Sequence, residues 1–116
     1  MAGTVQELTA ATFDEAVANA GVPVVVDLWA EWCPPCHALA PVLDQIAAEH
    51  PDELRIVKVD VDAHPEIARR FDAMSLPTLL VFDAGRIMRR LVGARGKGHL
   101  LAELADVLDR PPVAGR

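Results

Sequence analysis

One apolar segment, Val24–Trp29, constrains the fold of this chain more than any other feature. Half of its residues are β-branched, and polar and apolar positions do not alternate along it. A run of this kind is typical of a central strand whose two faces are both covered by other elements. The segment therefore predicts a sheet buried between helices.

The other predicted strands and helices alternate along most of the chain. The first half of the chain adds a weak strand at Val5–Leu8, a helix that has a capping-box spacing from Thr12 to Glu15 and ends at Gly21, and a helix from Cys33 to about His50 that Pro41 should kink. The second half adds a strand at Leu54–Asp60, a helix at Pro65–Phe71, and strands Thr78–Phe82 and Arg86–Val92 around an Asp83-Ala84-Gly85 hairpin. A final helix is marked by Leu100, Leu101, Leu104, Val107 and Leu108. This order predicts an α/β domain with a mixed sheet between helices.

Length and charge limit the classes of function. A chain of 116 residues with 52% hydrophobic residues predicts one domain, which we place at 1–109, followed by a flexible tail at 110–116. The net charge of -6 disfavours nucleic acid and anionic membranes as partners. We find no apolar run of membrane-spanning length and no secretory signal at the N-terminus.

The two cysteines lie three residues apart in Trp32-Cys33-Pro34-Pro35-Cys36-His37. They cannot join distant parts of the chain as the disulfides of secreted domains do, so a reducing cytoplasm is the expected location. The motif follows a predicted strand and opens a predicted helix, which is the setting that makes a Cys-x-x-Cys informative. Residues i and i+3 on one helical turn lie about 5 to 6 Å apart, so this disulfide can open and close without refolding.

The position of Cys33 at the helix start predicts different roles for the two thiols. Unpaired amides and the positive end of the helix dipole stabilise a thiolate at the first turn, which lowers the pKa of the thiol there. We therefore expect Cys33 to be an exposed, partly ionised nucleophile. Cys36, one turn deeper, is expected to resolve the mixed disulfide.

Two other interpretations of the cysteine pair are weaker. A zinc site needs two more ligands, and the four histidines show no second paired spacing, so we expect no metal. Two inert buried cysteines would leave the proline-flanked motif between strand and helix without a packing reason.

From Thr12 to Leu108 the chain resembles the thioredoxin family. The resemblance rests on Val26–Cys36, on Ser75-Leu76-Pro77-Thr78 followed by Phe82 and Gly85, and on Gly93. It implies a thioredoxin fold with a central five-stranded mixed sheet and four helices. It also implies a thiol-disulfide oxidoreductase that acts as an electron carrier and reduces protein disulfides.

The resemblance also implies how the electrons arrive. The expected partners are a thioredoxin reductase and disulfide-containing proteins, and NADPH is used only indirectly, through that reductase. We expect no cofactor beyond the disulfide itself, and a monomer. Two residues depart from the usual pattern: Pro34 replaces the common glycine and His37 replaces Lys or Arg. Cys-Pro-Pro-Cys is also seen in tryparedoxins and nucleoredoxins.

Asp27 interrupts the apolar strand, where burial of a carboxylate is costly and raises its pKa. One interpretation is an acid at the strand edge that faces water. The resemblance implies the other, a buried proton acceptor for Cys36 that acts directly or through water. Lys58 matches a lysine beside that aspartate in the family, although a solvated strand lysine fits the pattern nearly as well.

Pro77 is the last part of the implied site. In the family this proline is cis and faces the disulfide, and the backbone of the preceding residue, here Leu76, pairs with an extended substrate segment. The resemblance adds a flat apolar docking surface, which consists of Trp32, Pro34, Pro35, Met74, Gly93 and Ala94. We interpret Trp29 as a packing residue, and His50, His64 and His99 as surface histidines.

Two rival functions remain open at this point. Domains related to thioredoxin also serve as binding modules that do not use their cysteines, and the intact pair argues against that as the sole role. A disulfide-forming oxidase in an oxidising compartment is the second rival. The expected cytoplasmic location and the Asp27 match argue against it.

Overall fold

The computed structural model describes residues 4–108 and contains one sheet with the strand order β1-β3-β2-β4-β5. Its elements are β1 (Gln6–Glu7), α1 (Phe13–Ala18), β2 (Val24–Trp29), α2 (Pro34–Glu49), β3 (Arg55–Asp60), α3 (Pro65–Arg70), β4 (Thr78–Asp83), β5 (Arg86–Val92), α4 (Lys97–Glu103) and α5 (Ala105–Leu108). The predicted α/β class and the five-stranded mixed sheet are confirmed.

The apolar run Val24–Trp29 forms the central strand β2. It pairs parallel with β3 and antiparallel with β4, which makes the sheet mixed. Every residue of β2 from Val24 to Leu28 is buried. The apolar pattern, which only Asp27 interrupts, therefore has the predicted cause, which is that helices cover both faces of the strand.

The two faces of the sheet carry different helices. On one face α1 and α3 pack through Phe13, Val17 and Ile67 against Val26 and its neighbours. On the other face the buried residues come from α2, α4 and α5, and they are Leu39, Leu43, Ile46, Ala47, Leu100, Leu104 and Val107. Alternate residues of β2 face opposite layers, so Asp27 shares with Val25 the face that α2 covers.

Two helix ends differ from the predictions. The capping box at Thr12 is wrong: this residue has helical backbone angles, and its Oγ1 accepts a hydrogen bond from the Thr9 amide (3.0 Å) rather than from the amides of α1. The first helix ends at Ala18, and Gly21 lies beyond it with a φ of 77°. Local bonding between two threonines therefore replaces the cap.

The expectation of four helices is also wrong, because the described residues form five. The predicted last helix is split at Leu104, whose amide is shared between the carbonyl oxygens of Leu100 and Leu101 (3.0 and 3.2 Å). Both segments still bury one apolar face, at Leu100, Leu104 and Val107. Pro41 lies inside α2 as predicted; its kink stays a prediction. The proposed tail and the boundary at residue 109 lie outside the described residues.

The hairpin between β4 and β5 contains two residues with positive φ, so a substitution there tests the cost of this backbone conformation. Ala84 and Gly85 have φ values of 53° and 82°, as expected for a two-residue turn that matches the strand twist. A Cβ added at Gly85 would meet only ordinary contacts with Ala18, at 3.6 Å. The cost of Gly85→Ala therefore comes from the positive φ alone, and we expect a loss of about 1 kcal/mol in the free energy of unfolding.

Urea unfolding of the variant measures this loss. The matched control is Gly98→Ala in α4, where the added Cβ meets nothing within 4 Å and φ is not positive. That control should be neutral or stabilising by up to about 1 kcal/mol. Equal effects of the two substitutions would show that the backbone conformation at Gly85 is not the cause.

Candidate active site

The cysteine pair lies where β2 passes into α2. Cys33 is the N-cap residue, with extended backbone angles (φ -97°, ψ 102°), and Cys36 lies on the first turn. Their Cα atoms are 5.3 Å apart and the two side chains form a disulfide. The separation agrees with the 5 to 6 Å expected from helix geometry, so the pair can close within one helical turn.

The start of α2 directs one backbone donor at Cys33. Pro34 and Pro35 occupy the first two helical positions and have no N–H, so the first amide available is that of Cys36. This N–H lies 3.1 Å from the carbonyl oxygen of Cys33 and 3.3 Å from its Sγ. A donor at this position, together with the helix dipole, stabilises negative charge on the Cys33 sulfur.

Both cysteines are largely buried in the disulfide form. Cys33 is 3% and Cys36 is 2% exposed, and together with Ala30 they form a small cluster against which Trp29, Val61 and Leu76 pack. The expectation of an exposed Cys33 is therefore wrong for the oxidised protein. The sequence pattern places Cys33 at the helix start, but Trp29, Val61 and Leu76 pack against its cluster and cover it.

Asp27 is buried in the sheet directly beside Lys58. It is 3% exposed, and its Oδ1 accepts no hydrogen bond from the described residues. Desolvation raises the pKa of Asp27 to about 7, and the positive charge of Lys58 opposes this rise. The interpretation of Asp27 as an edge residue facing water is therefore wrong. Lys58, its register partner on β3, is half-buried rather than fully solvated.

The loop before β4 borders the cysteine cluster. The Leu76–Pro77 peptide bond is cis, as the resemblance implied, and Leu76 packs against the cluster that contains both cysteines. The amide of Gly93 donates to the carbonyl oxygen of Pro77 (2.9 Å). The structure thus brings three of the sequence motifs together at one edge of the sheet.

Exposed apolar residues surround this edge. Trp32 is 66% and Met74 is 87% exposed. The Nε1–H of Trp32 donates a hydrogen bond to Asp62 Oδ2 (2.8 Å). Pro34, Pro35 and Ala94 are exposed, while Gly93 is half-buried. Val92, which the sequence patterns did not indicate, is 49% exposed and pairs with Thr78 beside Pro77. Its place at the end of β5, next to Gly93, was the available signal.

Two of the four histidines make specific contacts near these elements. The Nε2–H of His37 donates to the carbonyl oxygen of Glu31 (2.6 Å), and the ring meets Trp29 edge-on at 6.1 Å between centroids. His64 is half-buried and its Nδ1 accepts a hydrogen bond from the Ala10 amide (3.3 Å). The interpretation of His64 as an ordinary surface histidine is therefore wrong.

Within residues 4–108 no group of three or more His, Cys, Asp or Glu side chains is arranged to hold a metal ion. In the same part of the chain no helix is long and apolar enough to cross a bilayer.

Comparison with known proteins places this geometry in a family. A family model described as thioredoxin matches residues 4–106. The chain is 48% identical over 102 residues to a thioredoxin of Mycobacterium tuberculosis, and the match covers 88% of each chain. It is 46% identical over 101 residues to a thioredoxin of Alicyclobacillus acidocaldarius, across 87% of this chain and 95% of the relative.

A third relative is longer than this chain. It is a bifunctional thioredoxin reductase/thioredoxin of Mycobacterium leprae, 47% identical over 107 residues, and the match covers 92% of this chain but only 23% of that protein. The fold, the cysteine pair at disulfide distance and these relatives identify a thiol-disulfide oxidoreductase of the protein disulfide reductase type. The chain belongs to the thioredoxin family.

Proposed function

We propose that the Cys-Pro-Pro-Cys pair is the active site and that its two cysteines have different roles. The Cys33 thiolate attacks one sulfur of a substrate disulfide, forms a mixed disulfide and expels the other substrate sulfur as a thiolate. Cys36 then loses its proton and attacks Cys33 Sγ, which releases the second substrate thiolate and closes the Cys33–Cys36 disulfide. Two electrons pass from the protein to the substrate.

The observation that carries this assignment is the hydrogen bond from the Cys36 amide to Cys33 Sγ (3.3 Å). Cys33 lies at the N-cap of a 16-residue helix, whereas Cys36 lies inside its first turn. The negative charge of a thiolate is therefore stabilised on Cys33 more than on Cys36.

Asp27 is the proposed proton acceptor for Cys36. It lies on the sheet face that α2 covers, and a pKa near 7 lets it hold or release a proton at neutral pH. Lys58, the other proposed catalytic residue, opposes the rise in the pKa of Asp27 and so keeps part of the Asp27 population ionised.

The apolar edge around the disulfide is the proposed docking surface for substrates. It consists of the proposed set Trp32, Pro34, Pro35, Met74, Gly93 and Ala94, and we add Val92. An extended substrate segment would pair with the backbone of Leu76 before Pro77, which supplies main-chain affinity without selecting one sequence.

A thioredoxin reductase that draws electrons from NADPH is the proposed electron donor, and a reducing cytoplasm is the proposed compartment. The name of the M. leprae relative joins a reductase and a thioredoxin in one protein, which supports this partner. We expect the purified monomer to couple NADPH oxidation to insulin reduction in the presence of a bacterial thioredoxin reductase. Activity with dithiothreitol but none with the reductase would instead indicate a different donor.

Pro34 is expected to affect the redox potential. Proline at the first helical position is already set near the helical φ, and it keeps the turn around the Cys33 thiolate ordered. We expect Pro34→Gly to loosen this turn, to disfavour the thiolate and thus to make the protein more reducing. A backbone effect of about 1 kcal/mol corresponds to roughly 20 mV for a two-electron couple.

Equilibration of both proteins against a glutathione redox series measures the difference. A potential that is unchanged or less negative in Pro34→Gly would contradict the prediction. It would mean that proline mainly shapes the closed disulfide, or that the amide gained at residue 34 stabilises the thiolate more than the lost order destabilises it.

A further inference from the structure

Trp29 contacts Lys58, His37 and the cysteine cluster at the same time. The Lys58 ammonium lies 5.1 Å from the centroid of the Trp29 ring, the His37 ring meets the same indole edge-on, and the cysteine cluster packs against it. Trp29 thus touches groups from β3 and from α2 at once.

The position of Lys58 is the part of this arrangement that needs an explanation. Lys58 is the register partner of Asp27, yet among the described residues its Nζ forms no ion pair within 4.0 Å with that or any other carboxylate. The ammonium group lies over the indole instead. A lysine has four flexible side-chain bonds and strongly prefers water, so an unpaired ammonium needs another attraction to stay near a sheet surface.

We propose that Trp29 is a positioning residue, whose indole holds the Lys58 ammonium beside the buried Asp27 carboxyl group. Trp29 and Asp27 are two residues apart on β2 and lie on the same face of the sheet. The face of the indole attracts the cation through its quadrupole, and this attraction is stronger for tryptophan than for phenylalanine or tyrosine. Lys58 then acts on Asp27 through its charge, without a direct hydrogen bond.

This arrangement suits a proton acceptor that has to change its charge. A direct ion pair with Lys58 would favour the ionised carboxylate strongly and leave it a weak base. A cation held by the indole at some distance stabilises the carboxylate less, so Asp27 stays able to take a proton. The inference rests on the proposed role of Asp27 in the reduction of disulfides.

The test measures the titration of Asp27 in the oxidised protein, where neither cysteine titrates. The side-chain carboxyl carbon of Asp27 is followed by NMR and assigned with Asp27→Asn. Without the indole the ammonium group is expected to turn into water rather than towards Asp27, so Trp29→Leu should raise the titration midpoint by about half a pH unit. This shift corresponds to a loss of about 0.7 kcal/mol in the attraction between Lys58 and the Asp27 carboxylate. Trp29→Phe, which keeps an aromatic face, should shift the midpoint less than Trp29→Leu does.

A double-mutant cycle shows whether the effect passes through Lys58. Trp29→Leu also lets water closer to Asp27, and this alone would lower the midpoint. In a Lys58→Met background Trp29→Leu should therefore no longer raise the midpoint. An equal rise with and without Lys58, or a full rise in Trp29→Phe, would overturn the proposal.

Other charged groups near Trp29 are controlled in the same design. His37 meets the indole from α2, and Asp60 on β3 is the register partner of Trp29. On β4 the uncharged Leu79 lies opposite Asp27. Each titration is repeated with His37→Gln and with Asp60→Asn, and the difference between Trp29→Leu and wild type should persist. If it disappears in either background, that residue and not Lys58 transmits the effect.

The titrations, together with the resolution kinetics of Asp27→Asn, distinguish a failure of this inference from a failure of the proposed function. If Asp27 is not the proton acceptor, the resolution kinetics of Asp27→Asn stay normal while the midpoint shift in Trp29→Leu remains. If Trp29 does not position Lys58, the midpoint is unchanged while Asp27→Asn is still slow.

Discussion

Cys33→Ser is expected to abolish the reduction of insulin disulfides with dithiothreitol as donor. The hydroxyl group of serine is not ionised at neutral pH and cannot attack a disulfide, so the turnover should fall to the uncatalysed background. The assay follows the turbidity of precipitated insulin chains. A variant that keeps most of its rate would show that Cys33 is not the nucleophile.

Cys36→Ser is the matched control, because it removes the second sulfur of the same pair. It should also lose turnover, but it should still form a stable mixed disulfide through Cys33, which mass spectrometry detects after reaction with a disulfide substrate. Cys33→Ser should form little of this adduct. The reverse pattern would exchange the roles of the two cysteines.

A second readout addresses the thiolate directly. Alkylation of the reduced protein at pH 7, followed by peptide mapping, should label Cys33 before Cys36, because the amide of Cys36 and the start of α2 stabilise charge on Cys33. A Cys33→Ser protein that retains its biological activity would instead favour the rival interpretation, a binding module that does not use its cysteines.

Asp27→Asn is expected to slow the resolution of the mixed disulfide more than its formation. A positioned general base contributes on the order of 100-fold or more, so we expect a loss of about 100-fold in the resolution rate at pH 7. In wild type the rate should rise with pH through about 7, where Asp27 becomes ionised. In the variant this rise should move to higher pH, where Cys36 ionises without help.

The same substitution has a predictable effect on stability. The pKa of Asp27 is about 7 in the folded protein against an ordinary value of 3.8, so between these pH values the folded state holds a proton that the unfolded state has released. This contribution to stability is full below pH 3.8 and is lost as pH rises through 7. At about 1.36 kcal/mol for each pH unit, the loss is roughly 4 kcal/mol.

Urea unfolding of the oxidised proteins at pH 4 and pH 8 measures this difference. Wild type should lose stability between the two values, and Asp27→Asn should lose much less, so that the variant is relatively more stable at pH 8. Asp44→Asn, on the exposed side of α2, is the matched control and should follow wild type. Parallel curves for wild type and Asp27→Asn would mean that Asp27 keeps its charge in the folded state without cost.

The sequence by itself determined the local elements and the chemistry. The bounds of β2 agree with the predicted Val24–Trp29, because a strand covered on both faces leaves an apolar run without alternation, here interrupted only by Asp27. The Cys33–Cys36 spacing and the hairpin at Ala84-Gly85 were likewise visible, since each depends on neighbours within a few residues. The family resemblance supplied the cis state of Pro77, which spacing alone does not indicate.

Only the tertiary structure decided which groups are buried and what they touch. Whether Asp27 faces water or the helices, whether Cys33 is accessible and whether Lys58 meets an indole or a carboxylate all depend on the strand register and on the packing of α2. The cap predicted at Thr12 is wrong and the break at Leu104 was missed, because competing hydrogen bonds and a shared buried face decide helix ends. Contacts between residues far apart in the sequence have no local signature, and they set the environment in which these side chains react.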